Sequence, residues 1–222
     1  MAAGGKASPN AAEAMAELCR IYWYPLYAYV RHRGYGAQDA EDLTQEFFAR
    51  ILAKDYLASV DRSKGKFRSF LLASLKHFLA NEWDRAHAQK RGGGQVTVPL
   101  DGAGAETRYS LEPTHDITPE KLFERQWAIT VLEQVMSRLK AEFVAGGKAH
   151  IFETLKPFLA GDETSTKYAQ VADRLGMTEG AVKVAIHRMR RRYRELLREE
   201  IAHTVASPEE IKDEIRYLLR CL

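Results

Sequence analysis

Cysteine is nearly missing from this sequence: Cys19 and Cys221 are the only two in 222 residues, near opposite ends. Thiols so spaced supply neither a zinc-ligand pair nor a disulfide framework, so the fold must be held by burial, and a reducing cytoplasmic setting is expected. Long apolar runs are lacking too. None approaches the roughly 20 residues that span a bilayer, and the first ten residues have no apolar stretch of the signal-peptide kind. A soluble protein without membrane insertion is expected. Nor is there a large excess of one charge: the formal net charge is +3, so a nucleic-acid partner has to be sought in where the charges stand.

Catalytic and cofactor motifs are absent as well. Ala145-Gly146-Gly147-Lys148 looks like a phosphate loop only superficially, because Glu142 replaces its first glycine and Ala149 its metal-binding hydroxyl. The seven histidines include no pair at zinc-ligand spacing with a glutamate between them. No catalytic residue, metal ligand or cofactor is therefore expected. What remains is ordinary globular material, 45% hydrophobic and 28% charged, enough for one large or two small cores.

Apolar residues recur at three- and four-residue steps almost throughout, which predicts an all-α protein. Two small helical domains are expected, at 11–94 and 118–203, joined by a flexible linker at 95–117 and followed by a C-terminal helical extension at 204–222. The linker is rich in Gly, Pro and Thr, and so long a structureless stretch suits a connection between domains. Pro25 is expected to break or kink the first helical pattern, or to start the next helix. Thr118-Pro119-Glu120 opens a strong helix. In the extension, Ser207 and Glu210 have capping-box spacing, and Ile211, Ile215, Leu218 and Leu219 form an apolar face that should dock on the second domain or cover a functional surface.

The stretch 166–198, TKYAQVADRLGMTEGAVKVAIHRMRRRYRELLR, reads as a helix-turn-helix. Val171, Ala172 and Leu175 fall on one face of its first helix. Gly176 supplies a left-handed stop, and Thr178 caps a second helix from Glu179. Val182, Ile186, Met189, Tyr193 and Leu196 or Leu197 form that helix's buried stripe, leaving a ridge with Lys183, His187, Arg188, Arg191 and Arg194 for phosphates and base edges.

Two earlier stretches are distinctive. On Asp39 to Leu52, Leu43, Phe47 and Ile51 make an apolar stripe, and Asp39, Glu41, Asp42, Gln45 and Glu46 take the remaining surface, either as solvated charge or as docking for a basic partner. Phe67 to Arg85 interleaves aromatics with Arg68, Lys76, His77, Asn81 and Arg85, a pattern that suits single-stranded nucleic acid, although most of the rings should be core.

Together these stretches, DAEDLTQEFF, FRSFLLASLKHFLANEWDR and YAQVADRLGMTEGAVKVAIHRMR, resemble the bacterial RNA polymerase sigma factors of the extracytoplasmic-function type. The resemblance covers about residues 12–203. It implies that Asp39, Glu41, Asp42, Gln45 and Glu46 dock on the beta-prime clamp helices of core polymerase. It assigns Lys66, Arg68, Lys76, His77, Asn81 and Arg85 to the opened, single-stranded downstream (minus-ten) promoter element. Thr178, Lys183, Val184, His187, Arg188 and Arg191 would read the upstream (minus-thirty-five) element as a duplex. The beta flap, and an anti-sigma factor or other regulator, are further partners it implies. His77, Asn81 and Phe70, and Lys183, Val184 and His187, depart from common family residues, so promoter sequence does not transfer. The competing readings are a stand-alone helix-turn-helix regulator, which has no need of the acidic and aromatic-basic stretches, and a nuclease, for which no carboxylate cluster is visible.

Overall fold

The computed structural model describes residues 9–53, 66–88, 104–112, 117–160 and 165–222. It is all-α, with α1 (Pro9–His32), α2 (Ala37–Ala53), α3 (Phe67–Ala88), α4 (Ala105–Ser110), α5 (Pro119–Ala145), α6 (Ala149–Leu155), α7 (Ser165–Leu175), α8 (Glu179–Ala202) and α9 (Ile211–Arg220), and with 3-10 turns at Lys156–Ala160 and Pro208–Glu210. No strand occurs among the described residues. Contacts divide the chain into two units, Met1–Thr130 with Thr204–Leu222, and Val131–His203. The division falls inside α5 rather than before it, and the C-terminal extension groups with the first unit.

The first unit is built around α1. Every residue from Ile21 to Val30 is buried, the signature of a helix enclosed on all sides. It runs through Pro25 without interruption, so the proline neither breaks the helix nor starts a new one. A mid-helix proline costs about 3 kcal/mol, but Leu26 and Val30, both wholly buried, each contribute about 1.5–3 kcal/mol on burial. Tertiary packing overrides the local rule. Phe47, Phe48 and Ile51 of α2 and Leu71, Leu75, Phe78 and Leu79 of α3 complete this core, with the Phe47 and Phe78 rings 5.7 Å apart.

Part of the stretch expected as flexible linker is ordered helix. Glu106 on α4 accepts from Tyr27 Oη at 2.6 Å and from Arg31 Nε at 2.8 Å, while Arg31 lies over the Tyr109 ring and Arg108 over that of Tyr24. Six residues are too few to show an apolar period, and polar and cation–π contacts hold them. Most of the remaining linker lies outside the described residues. Arg31, and then Tyr27, hold the Glu106 carboxyl below its ordinary value. A depressed carboxylate contributes stability that is present above its unfolded pKa and lost as pH falls through the folded one. Proteolytic cutting within 104–112 should therefore accelerate on acidification below about pH 4; a pH-independent rate, after correction for the protease, would show that Glu106 does not hold α4.

The extension restarts differently from the capping-box expectation. Ser207 makes no side-chain cap bond to the helix start, and a 3-10 turn precedes α9. Of the expected apolar face only Leu218 is wholly buried, Ile211 and Ile215 are half-buried, and Leu219 is 57% exposed. The other buried residue of α9 is charged: Glu214.

In the second unit, Val135 and Leu139 of α5, Phe152 and Leu155 of α6, Ala172 of α7, and Val182, Ile186, Met189, Leu196, Leu197 and Ile201 of α8 form the core. Gly147, at φ +68°, closes α5, and Lys148 N–H donates to Phe143 O at 2.8 Å. Those glycines end a helix, as their position after a long apolar period suggests. Arg138 reaches Glu199 at 2.8 Å and the buried Glu200 at 3.0 Å.

Candidate nucleic-acid interface

The geometry at the α7–α8 turn follows from two residues. Gly176 sits at φ +62°, a conformation that costs an L-residue about 1–2 kcal/mol. With it, Met177 N–H reaches Ala172 O at 2.9 Å and Gly176 N–H reaches Asp173 O at 3.3 Å, the paired bonds of a Schellman stop. Thr178 then adopts an extended conformation and its Oγ accepts from Ala181 N–H at 3.2 Å. Both roles match the sequence expectation. No atom lies within 4 Å of where a Gly176 Cβ would stand, so Gly176→Ala should cost only the conformational term, about 1–2 kcal/mol, and Gly176→Asn less. Chemical denaturation measures both; equal stabilities for glycine and alanine would contradict the left-handed turn.

Arginines on α8 are sorted by task. Arg190 Nε donates to Phe158 O at 3.0 Å, and Arg192 is tied to Glu142 at 2.7 Å and to Glu195 and Glu199. Arg192 holds the Glu142 carboxyl below its ordinary range. Lys183, Val184, His187, Arg188, Arg191 and Arg194 are instead exposed, at the three- and four-residue steps that place them along one side of a helix. Among the described residues Arg191 makes one exposed 3.6 Å pair, with Glu195, a contact of little energy. Val184, 49% exposed, is an apolar side chain among these cations. Tyr193 is half-buried rather than core, as are Val171 and Leu175 of α7. The structural duties of Arg190 and Arg192 were not visible in sequence, because their partners Phe158 and Glu142 come from distant positions.

The acidic face of α2 is narrower than expected. Asp39 and Asp42 are exposed and Glu41 is half-buried, but Gln45 is 7% exposed and its Nε2 donates to Glu41 at 3.3 Å. Gln45 leaves the open face because Thr44, Phe47 and Phe48 carry the buried side around to it. Glu46 pairs with Arg50, which also reaches Glu82 at 2.7 Å, so part of its charge is answered within the unit.

The six cations and polar groups expected on a single strand fall into two sets. Lys76, His77, Asn81 and Arg85 are exposed on α3, with Lys76 paired to Glu120 at 2.7 Å and Arg85 to Glu82 at 2.8 Å. Nearby, a cavity of about 420 Å³ is lined by Tyr29, Arg33, Tyr35, Lys76, Trp83 and Glu120 among others. Trp83, expected in the apolar period, is 57% exposed and offers a ring to this hollow. Lys66 and Arg68 form the second set: both pair with Glu214 of the C-terminal extension, Lys66 half-buried and Arg68 4% exposed. Arg68 is therefore not on the open surface in this state.

No helix among the described residues is long and apolar enough to cross a membrane. Comparison with protein-family models, curated proteins and solved structures returned no match.

Proposed function

We propose that this protein is a bacterial RNA polymerase sigma factor of the extracytoplasmic-function type, a cytoplasmic and dissociable specificity subunit without catalysis of its own. In this reading α7, its turn and α8 are a helix-turn-helix that meets the upstream promoter element in duplex form through Lys183, Val184, His187, Arg188 and Arg191. The open face of α3, with Lys76, His77, Asn81, Arg85 and the exposed Trp83 ring, holds the opened downstream element, where bases stack and cations track phosphates. Asp39, Glu41 and Asp42 carry docking to the beta-prime clamp helices, the beta flap being a second polymerase contact.

The observation that carries the reading is the sorting of cations on α8. Arg190 and Arg192 are bound within the unit, whereas the residues of the predicted recognition face stay exposed on a helix begun by a capped turn, which is the arrangement that leaves charge for phosphates and base edges. A second reading, a stand-alone duplex-binding regulator, is favoured by the narrowing of the acidic face at Gln45 and Glu46. Mapping transcript starts on genomic DNA with core polymerase, with and without the protein, separates them. New start sites are expected. Their absence, with discrete duplex sites still protected by the protein alone, would transfer the assignment to the regulator.

A further inference from the structure

Glu214 does something that the proposed function leaves unused. It lies midway along α9, is 1% exposed, and pairs with both Lys66 and Arg68. One turn further on, the Tyr217 ring lies over the same two cations, its centroid 5.2 Å from Lys66 Nζ and 4.2 Å from the Arg68 guanidinium. The Trp127 ring is 4.8 Å from that guanidinium as well. The two cations flank Phe67, the first residue of α3, where the helix end adds partial positive charge. Burial, and then Arg68, hold the Lys66 amine below its ordinary value. Two neighbouring cations at a helix start require an anion, and the carboxylate of α9 supplies it.

We propose that α9 is a tethered occupant of a nucleic-acid phosphate site: Glu214 stands to Lys66 and Arg68 as a backbone phosphate would, Tyr217 as its stacked base, and α9 leaves when α3 takes up a single strand. This rests on the single-strand role of α3 proposed above. The manner in which α9 is held favours displacement. Its ten residues are fewer than the roughly 12–15 an isolated helix needs, and Leu218 is its only wholly buried apolar side chain. Its other anchor is the buried ion pair, whose attraction is largely offset by desolvation. The fit is also incomplete, because the buried Arg68 Nε has no hydrogen-bond partner among the described residues. The tetrahedral oxygens of a phosphodiester point in directions that a planar carboxylate does not offer and can reach that donor, as arginine–phosphate pairs do.

The test uses a fluorescein-labelled oligothymidylate of about 12 nucleotides, a length within the usual single-strand site range, titrated by anisotropy at several salt concentrations. The proteins are the full chain, its Glu214→Gln variant and a chain ending at Ala206, each checked for native helicity. Both variants should bind at least about tenfold tighter than the full chain, with the salt slope steeper by about 0.7 for each phosphate gained. Adding Lys66→Ala to the shortened chain should reverse the gain. A second measurement needs no variant: by reciprocity of coupled binding, saturating the full chain with the probe should speed hydrogen exchange in α9. Folded variants that bind no tighter overturn the proposal, as does α9 exchange that is unchanged at saturation. Start-site mapping keeps the two ideas apart. New start sites with unchanged probe affinity retain the sigma reading and remove the cover; no start sites, with affinity released by Glu214→Gln, do the opposite.

Discussion

Asp42→Lys should weaken binding to core RNA polymerase at least a hundredfold, about 2.7 kcal/mol, while duplex binding through α8 is unchanged. Asp42 is exposed on α2 and among the described residues its carboxylate accepts a single 3.2 Å bond, from Gln38, so the substitution falls in the surface class that shifts stability by about 0.5 kcal/mol or less. Like charge set against a basic clamp costs several kcal/mol, far more than the fold loses. Glu46 is a poorer choice. Reversing it would put a cation beside Arg50, which bridges to Glu82 of α3, and lost binding would then report on helix packing. The measurement is a titration of the full-length variant against core polymerase, with a duplex titration as the internal control. An unchanged core affinity would mean that the acidic residues are a solvated face, and the sigma-factor proposal would lose its main support in the first unit.

Legibility in the sequence followed the range of the interaction concerned. The α7–α8 turn was readable to the residue, because a left-handed glycine and a threonine cap act over three or four positions. So was the core stripe of α8 at Val182, Ile186 and Met189, since burial on a helix repeats with its period. At Pro25 the helix is not interrupted, for the complementary reason: its local penalty is real, but the ten-residue burial of α1 around it depends on segments far along the chain. Gln45 shows how far period alone reaches. On the helical wheel it borders the apolar stripe, and only the packing of Thr44 and Phe48 decides which side of the border it takes.

Charged contacts between distant positions left the weakest trace. Glu106 on Arg31, Arg138 on Glu200, and Glu214 on Arg68 join residues separated by 75, 62 and 146 positions, the last being 214 minus 68. In sequence each is an ordinary charge in an amphipathic or loop-like stretch. For Glu214 a signal did exist: it stands three residues after Ile211 and four before Leu218, steps that place it on the same helix face as those two apolar residues. A carboxylate there needs a buried cation, and the aromatic-basic stretch is where such cations occur.

On α8, alanine substitutions should separate cations that face outward from those that brace the unit. Arg188→Ala and Lys183→Ala remove exposed side chains, so thermal stability should hardly change. For a side chain on a base edge, about 1–3 kcal/mol of discrimination is lost at one position of the upstream element; for one on a phosphate, affinity falls evenly and the salt slope drops by about one. Lys183 also lies 5.4 Å from the Tyr168 ring centroid, an exposed contact worth only about 0.5–1 kcal/mol. Arg190→Ala should behave in the opposite way. Its guanidinium satisfies Phe158 O through both Nε and Nη2, and removing charged donors from a half-buried carbonyl costs about 1–3 kcal/mol, read as a lowered denaturation midpoint with duplex selectivity intact. Denaturation and duplex titrations across several salt concentrations on the same three variants decide the matter. If Arg190→Ala alters selectivity as much as Arg188→Ala does, or if Arg188→Ala destabilises without touching DNA, the division of labour along α8 is wrong and the recognition face has to be placed elsewhere.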